Sequence, residues 1–384
     1  MAWRNMWQLS LVTERAQCEG PDGRPRYHTG LPSLESPVNA PHPPLLDYPV
    51  AAPPAPGTAH AVAPGVLWIR MPLPFALDHI NLWLLQQDDG WTIVDCGYGD
   101  HATRALWETH FANTLLNLPV RTIVATHFHP DHLGKAAWLS ERSSCPVMMT
   151  QSEFLTAHAV LEQRATHAFA DTFALFATHG MAADHVAALL ARGNHYARGV
   201  PEVPARFQRM LVGDDVTAGG TSWRVICGHG HSPEHASLYS AGRGLLISGD
   251  MLLPRISTNV SVSAAEPDGD PLARFLASIS EFLPLPPDTL VLPSHGLPFR
   301  GIALRVAQLE THHADRLAEL EAAITAAAGP VSATDVLPVL FRRELDLQQR
   351  FFAMGEAIAH LNYLWHRGRI QRTVAPGGAV RFAA

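Results

Sequence analysis

The chain predicts an α/β fold, and three observations carry the prediction. Apolar strand-like runs alternate with helical stretches, a helix-rich block separates two strand-containing halves, and the apolar runs end in histidine or aspartate. At 384 residues and 47% apolar content there is chain enough for one large domain, or one with an appendage, around a substantial core. Charged residues are 16%, and 28 basic against 35 acidic side chains leave a net charge of −7, which excludes a general attraction to phosphate backbones or anionic membranes. Lys135 is the single lysine, a skew that reads as coding bias and carries no function. No run reaches the roughly 18 apolar residues of a membrane span, and residues 1–30 lack the pattern of an export signal. Cys18, Cys96, Cys145 and Cys227 lie far apart with no C-x-x-C pair, against a disulfide framework or a thiolate zinc site and in keeping with a reducing cytoplasm.

Twelve of the 31 prolines fall before residue 65, and residues 1–43 read as a loose extension. Order begins near Gly65, where VLWIRMPL and INLWLL read as strands and WTIVD follows across a QQDDG turn, a hairpin. Residues 101–118 carry Ala105, Leu106, Phe111 and Leu115 near helical spacing, and RTIVAT then reads as a buried strand ending at Thr126. From 152 to about 198 the chain is Ala-rich and mostly helical, an insertion over about 151–210 read as a lid on the pocket. Strands return as TSWRVICG, ASLYS, GLLISGD and DTLVL, which closes a main domain at 44–300. Over 301–384, Val306, Leu309, His313, Leu317, Leu320 and Ile324 recur on one helical face, so His313 reads as a core histidine. Helices at about 333–342 and 347–366 follow, then RIQRTV and AVRFA; three helices and a hairpin resemble a small winged-helix domain.

The chemistry concentrates in Thr126-His127-Phe128-His129-Pro130-Asp131-His132, directly after RTIVA. Alternate residues of an extended loop point the same way, so His127 and His129 can share one metal while Asp131 and His132, past the proline, face a second. Zinc usually takes four ligands, so one short segment cannot complete two sites. His231 in GHGHSPEH, Asp250 closing GLLISGD and His295 in VLPSHG stand at other strand ends. Imidazole and carboxylate suit a borderline Lewis acid, and metal binding lowers the pKa of water from 15.7 to about 7, so hydroxide can attack a carbonyl or phosphoryl centre at neutral pH. No G-x-S-x-G elbow competes for the role.

These four motifs, in this order over roughly 65–300, resemble the metallo-β-lactamase superfamily, whose αββα sandwich holds a two-metal site at one edge of its sheets. The resemblance implies that His127, His129 and His231 hold one divalent ion and Asp131, His132 and His295 the other, with Asp250 bridging; Asp131 and Asp250 are then the catalytic carboxylates. It implies two ions per chain, Zn2+ first and Mn2+ or Fe2+ as alternatives. Asp95, ending WTIVD, resembles the strand-end aspartate that supports the ligand loop from behind. The intact ligand set argues against a true β-lactamase and resembles the hydroxyacylglutathione hydrolase arrangement, hence a small ester, thioester or lactone as substrate. An endoribonuclease or phosphodiesterase and a mononuclear iron persulfide dioxygenase are the alternatives. The tail resembles the C-terminal domain of an endoribonuclease-like branch. Nine arginines against eight acids over 301–384 give no basic face, so packing or homodimerisation is its expected use rather than nucleic-acid binding. Glu234 stands where the family has glycine and reads as solvated, and His235 reads as a buttress of the turn. His79, Asn81, Tyr196, Arg255 and Asn259 are candidate pocket residues, Arg255 equally readable as half of a structural ion pair. His158, His167, His179, His185 and His195 in the insertion read as surface residues.

Overall fold

In the computed structural model, residues 45–116 and 118–384 are described, and the loose extension expected over 1–43 lies outside them. Strands β1 (His60–Ala63), β2 (Val66–Pro72), β3 (His79–Gln87) and β4 (Gly90–Val94) form an antiparallel run. The β3–β4 connection is the expected hairpin, with Asp88 and Asp89 at its tip between paired Gln87 and Gly90. Helix α1 (His101–Asn113), capped by the Asp100 carboxylate on the Thr103 N–H, leads to β5 (Val120–Val124). It stops short of 118 because Leu116 turns to φ 51° ahead of Pro119. Short helices α2 (Pro130–Leu133) and α3 (Ala136–Ser143) precede β6 (Val147–Met149).

The insertion is helical as expected but broken into short pieces, α4 (Gln151–Leu161), α5 (Phe169–Thr178), α6 (Ala183–Ala191) and α7 (Tyr196–Gly199). One of its histidines departs from expectation: His179 is buried, its Nδ1 donating to the Leu175 carbonyl at 2.9 Å. Strand β7 (Gln208–Arg209) then completes a seven-stranded sheet in the order β1 to β7, parallel from β4 onward.

The second sheet has five strands in the order β12-β11-β10-β9-β8: β8 (Asp215–Ala218), β9 (Thr221–Gly228), β10 (His235–Ser240), β11 (Leu245–Gly249) and β12 (Leu290–Pro293). Period-two alternation decides the layers. Trp68, Trp83, Val94 and Val124 meet Trp223, Leu238, Ile247 and Leu292 between the sheets. Their neighbours Ile69, Leu82, Leu84 and Ile93 face outward onto Trp107 of α1 and Leu139 of α3. On the far side, Leu246 and Val291 pack under α8 (Pro271–Ser280), α9 (Ile302–Ala326) and α11 (Leu347–His366), including Phe275, Val306, Leu309 and Ile358. The result is the expected αββα sandwich.

The tail differs from expectation in one helix. The stretch 333–342 reduces to the single turn α10 (Leu337–Leu340), where Pro338 is tolerated only in a first turn. Strands β13 (Gln371–Val374) and β14 (Val380–Ala383) pair antiparallel, and a bridge from Val331 to Phe382 ties them back. Among the described residues no helix is long and apolar enough to cross a membrane.

Candidate metal centre

The site is built where β5, β11 and β12 end and where β9 turns into β10, at one edge of the sandwich. After β5 the chain runs through Ala125 to His129, and Pro130 opens α2, which carries Asp131 and His132. A backbone bond from the Ala236 N–H to the Thr126 carbonyl, 2.9 Å, sews the two sheets together at this edge. Tight backbone is required at Gly249, which has φ 53° and whose added Cβ would collide with the His235 ring.

The side chains converge in two groups. Ligand atoms of His127, His129, His231 and Asp250 lie within 4.8 Å of one another, as do those of Asp131, His132 and His295. His127 Nε2 is 2.9 Å from His129 Nδ1 and 3.2 Å from His231 Nε2. Asp250 stands between the groups: its Oδ2 is 3.4 Å from His231 Nε2 and 3.5 Å from His132 Nε2, and its Oδ1 is 3.4 Å from His295 Nε2. His295 Nε2 also lies 3.4 Å from Asp131 Oδ2.

The other ring nitrogens explain this aim. His231 Nδ1 faces the Asn259 carbonyl and His295 Nδ1 the His79 carbonyl, both at 2.8 Å, while His132 Nδ1 is 2.8 Å from Asp95 Oδ2 and His127 Nδ1 is 3.0 Å from Thr126 Oγ1. An imidazole that donates its Nδ1–H keeps a bare lone pair on Nε2, the state a metal requires. Asp95 also accepts from the Thr126 N–H at 2.8 Å and from its hydroxyl, and holds φ 62°, a left-handed conformation costing a non-glycine residue on the order of 1 kcal/mol. Asp95 thus stands behind the ligand loop, bonded to Thr126 and His132.

Two buried polar atoms at the centre, His132 Nε2 and Asp250 Oδ1, have no hydrogen-bond partner. The charges are unbalanced as well. Burial and the surrounding imidazoles hold His127 far below its ordinary range and His129 at about 3, whereas for His295 burial is overridden by Asp250 and Asp131, which raise it to about 10. Three enclosed carboxylates, Asp95, Asp131 and Asp250, thus draw positive charge onto His132 and His295 against the cost of burial, and still outnumber those two rings. Nitrogen and oxygen donors without cysteine, orphaned atoms and excess anion fit divalent cations.

The remaining candidates sort differently. His235 is fully buried, and its Nε2 accepts from the Asp250 N–H at 3.1 Å, the arrangement of a buttress. Asn81 is no pocket residue: it is buried, its Nδ2 donating to the Pro293 and Gly296 carbonyls and its Oδ1 accepting from Arg70 Nε. His79 has both ring nitrogens engaged, by Asp78 Oδ1 and by the Gly296 N–H, so it holds the His295 loop rather than offering a group to a ligand. Tyr196 is buried, its hydroxyl donating to the Phe128 carbonyl at 2.6 Å from behind the ligand loop. Asn259 supplies its carbonyl to His231, while its amide binds Ser261 and Glu356. Arg255 is exposed and forms no ion pair among the described residues.

Glu153, missed in the sequence, is fully buried on α4 and accepts from the Phe128 N–H, the Ser232 hydroxyl and the Glu234 N–H, at 2.9, 2.6 and 2.6 Å. It joins the two histidine loops through the insertion. Its sequence context, an acid in the first turn of a helix, is indistinguishable from a solvated one. Glu234, expected solvated, is half-buried, with its carbonyl accepting from Thr150 Oγ1 at 2.8 Å.

A family model described as metallo-beta-lactamase superfamily matches residues 76–295, and one described as metallo-beta-lactamase-like, C-terminal domain, matches 317–384. A solved β-lactamase domain protein from Burkholderia ambifaria is 47% identical with a TM-score of 0.79, covering 88% of this chain and 97% of that one. The probable metallo-hydrolase YqjP of Bacillus subtilis is 25% identical over 78% of this chain and 92% of its own length. A hydroxyacylglutathione hydrolase of Idiomarina loihiensis is 22% identical over 57% of this chain and 62% of its own. With two convergent histidine and aspartate groups at the sheet edge and these matches across both regions, the chain belongs to the metallo-β-lactamase superfamily and is one of its metal-dependent hydrolases.

Proposed function

We propose a dinuclear hydrolase that cleaves a small ester, thioester or lactone. The observation that carries the proposal is the position of Asp250, whose two oxygens reach imidazoles of both groups and whose Oδ1 has no other partner. A carboxylate so placed serves two cations. His127, His129 and His231 would hold one ion and Asp131, His132 and His295 the other, zinc in the first instance and Mn2+ or Fe2+ as alternatives for the same donors. Bound divalent ions supply Lewis acidity and ionise a water near neutral pH.

Around that chemistry the chain's own groups orient and exclude. Asp95, Thr126 and the Asn259 and His79 carbonyls fix the ring tautomers, Glu153 locks the loops, and Tyr196 closes the back of the site. Arg255, exposed five residues after Asp250 and unpaired among the described residues, is proposed as the anchor for a carboxylate on the substrate. The match to a hydroxyacylglutathione hydrolase supports a thioester within this range. With a net charge of +1 over 301–384, nucleic acid is a weaker reading than a small molecule, and the tail is assigned to packing or a homodimer in the cytoplasm. Zinc-reconstituted protein assayed on aryl esters, S-acyl thioesters, lactones and a bis-aryl phosphodiester, with iron-reconstituted protein assayed on glutathione persulfide, decides the class. Hydrolysis of the acyl compounds is expected. Turnover confined to the phosphodiester, or oxygen uptake with the persulfide, would replace the proposal.

A further inference from the structure

We infer that the C-terminal helices are part of the metal centre's positioning machinery, acting through the loop that follows Asp250; the inference rests on the metal assignments proposed above. From Asp250 the chain runs without regular structure to Asp270. This loop carries two things the centre uses, the Asp250 carboxylate and the Asn259 carbonyl that receives His231 Nδ1. Segments of this length without regular structure are ordinarily mobile unless tied down. Within the loop, the Thr258 hydroxyl donates to the Asp250 carbonyl. Ser248 Oγ donates to the Leu252 carbonyl at 2.9 Å and Arg274 of α8 pairs with Glu266, while the ties on either side of Asn259 come from the tail.

Arg305 of α9 is buried, with Nε donating to the Leu253 carbonyl, Nη2 to the Ile256 carbonyl at 2.7 Å and Nη1 to Gln308 at 3.2 Å. No carboxylate pairs with it among the described residues. A buried guanidinium without a counter-ion is costly, and here it is spent on the backbone of one loop. On α11, the Gly355 carbonyl accepts from the Val262 N–H at 3.3 Å, and a Cβ on Gly355 would lie 2.6 Å from Ser261 Oγ, so glycine is what lets the helix approach. The next residue, Glu356, accepts from Asn259 Nδ2 at 3.3 Å, while Ser261 donates to Asn259 Oδ1 at 2.8 Å. With both ends of its amide held, Asn259 has its carbonyl oriented for His231.

The other group is held from elsewhere: His132 by Asp95 after β4, and the His295 loop by Arg70 of β2 with His79 and Asn81 of β3. The two ions should therefore respond differently to changes in the tail. Arg305 and Glu356 are positioning residues for the three-histidine ion.

The test uses full-length wild type, Arg305→Met, Glu356→Leu and Glu356→Gln. Stepwise zinc affinities come from competition with a chromophoric chelator, the position of the weakened ion from anomalous density, and the melting temperature from the metal-free proteins. Arg305→Met and Glu356→Leu are expected to weaken the three-histidine ion by about 10- to 100-fold, the range for loss of an outer hydrogen-bond partner, and to leave the other near wild type. Glu356→Gln, which can still accept from Asn259, should restore wild-type affinity. If Arg305→Met does not fold, the Glu356 pair decides alone. Wild-type affinities in both variants, or equal weakening of both ions, would overturn the inference. A wild type that takes up fewer than two ions would overturn the dinuclear reading instead, and the variants would still report on the ion that remains.

Discussion

Two clusters of histidine lie among the described residues, and one of them has the makings of a metal centre. At the sheet edge, His127, His132, His231 and His295 each commit one nitrogen to an acceptor and aim the other at space shared with Asp131 and Asp250. Between α9 and α11, His312, His313 and His360 also meet, one pair edge-on and one tilted, with centroids 5.2 and 5.4 Å apart. There, however, one ring bonds the other, and His313 Nε2, buried without a partner, faces no carboxylate among the described residues. His360 Nδ1 donates to the Glu356 carbonyl at 2.8 Å, which leaves its Nε2 to accept from His313 Nδ1 at 3.3 Å. No carboxylate pairs with either ring among the described residues. Burial lowers charge at both places, but Asp250 and Asp131 reverse it and raise His295 to about 10, whereas His313, opposed by burial and by His360, falls to about 2. Histidine density does not make a cation site; oriented lone pairs beside excess anion do.

Four substitutions sharpen or break that contrast. Asp250→Asn removes the charge shared by both groups and should lower kcat/KM by about 100-fold or more, with at least one ion weakened in a chelator titration. Full activity with two bound ions would refute its bridging place. Next, Glu153→Ala strips the acceptor from three buried donors at about 1–3 kcal/mol each, so the melting temperature should fall by several degrees and metal affinity with it. His235→Ala is the intermediate case, an imidazole beside the centre but turned to a backbone N–H. Elemental analysis should find metal content near wild type with modest destabilisation, and loss of one equivalent would make it a ligand.

The smallest effect belongs to His313→Phe, with unchanged metal content and a stability change within about 1 kcal/mol at pH 7.5. Its signature is in acid. The folded state holds His313 at about 2 and His360 at about 4, both below the ordinary 6.5 that the unfolded chain regains. Between pH 6.5 and 4 the unfolded chain therefore binds protons that the folded one refuses, and stability falls as pH falls. Metal-free His313→Phe should show a shallower fall than metal-free wild type in denaturant titrations. Identical slopes would remove the pair from the account.

What could be read from sequence was what repeats or clusters locally. Alternating strands and helices gave the α/β class, the family resemblance implied the sandwich, and the motif around His127 with the strand-end positions of His231, Asp250 and His295 gathered all seven residues that converge in space. What could not be read depends on distant partners. Glu153, Arg305 and Glu356 matter because of loops 25 to 97 residues away, and nothing in their own helices distinguishes them. Asn81 and Tyr196 failed as pocket residues for the same reason, since polar atoms that look available in sequence are used up against Gly296 and Phe128 carbonyls. The 333–342 helix failed locally, at Pro338.

The central claim is that this sheet edge holds two ions through one shared aspartate. Elemental analysis of freshly purified wild type and Asp250→Asn, with turnover of an S-acyl thioester followed before chelation, after it and on reconstitution, tests it most directly. About two zinc or manganese per wild-type chain are expected, fewer in Asp250→Asn, with hydrolysis that is lost and regained with the metal. One iron per chain without hydrolysis would contradict it.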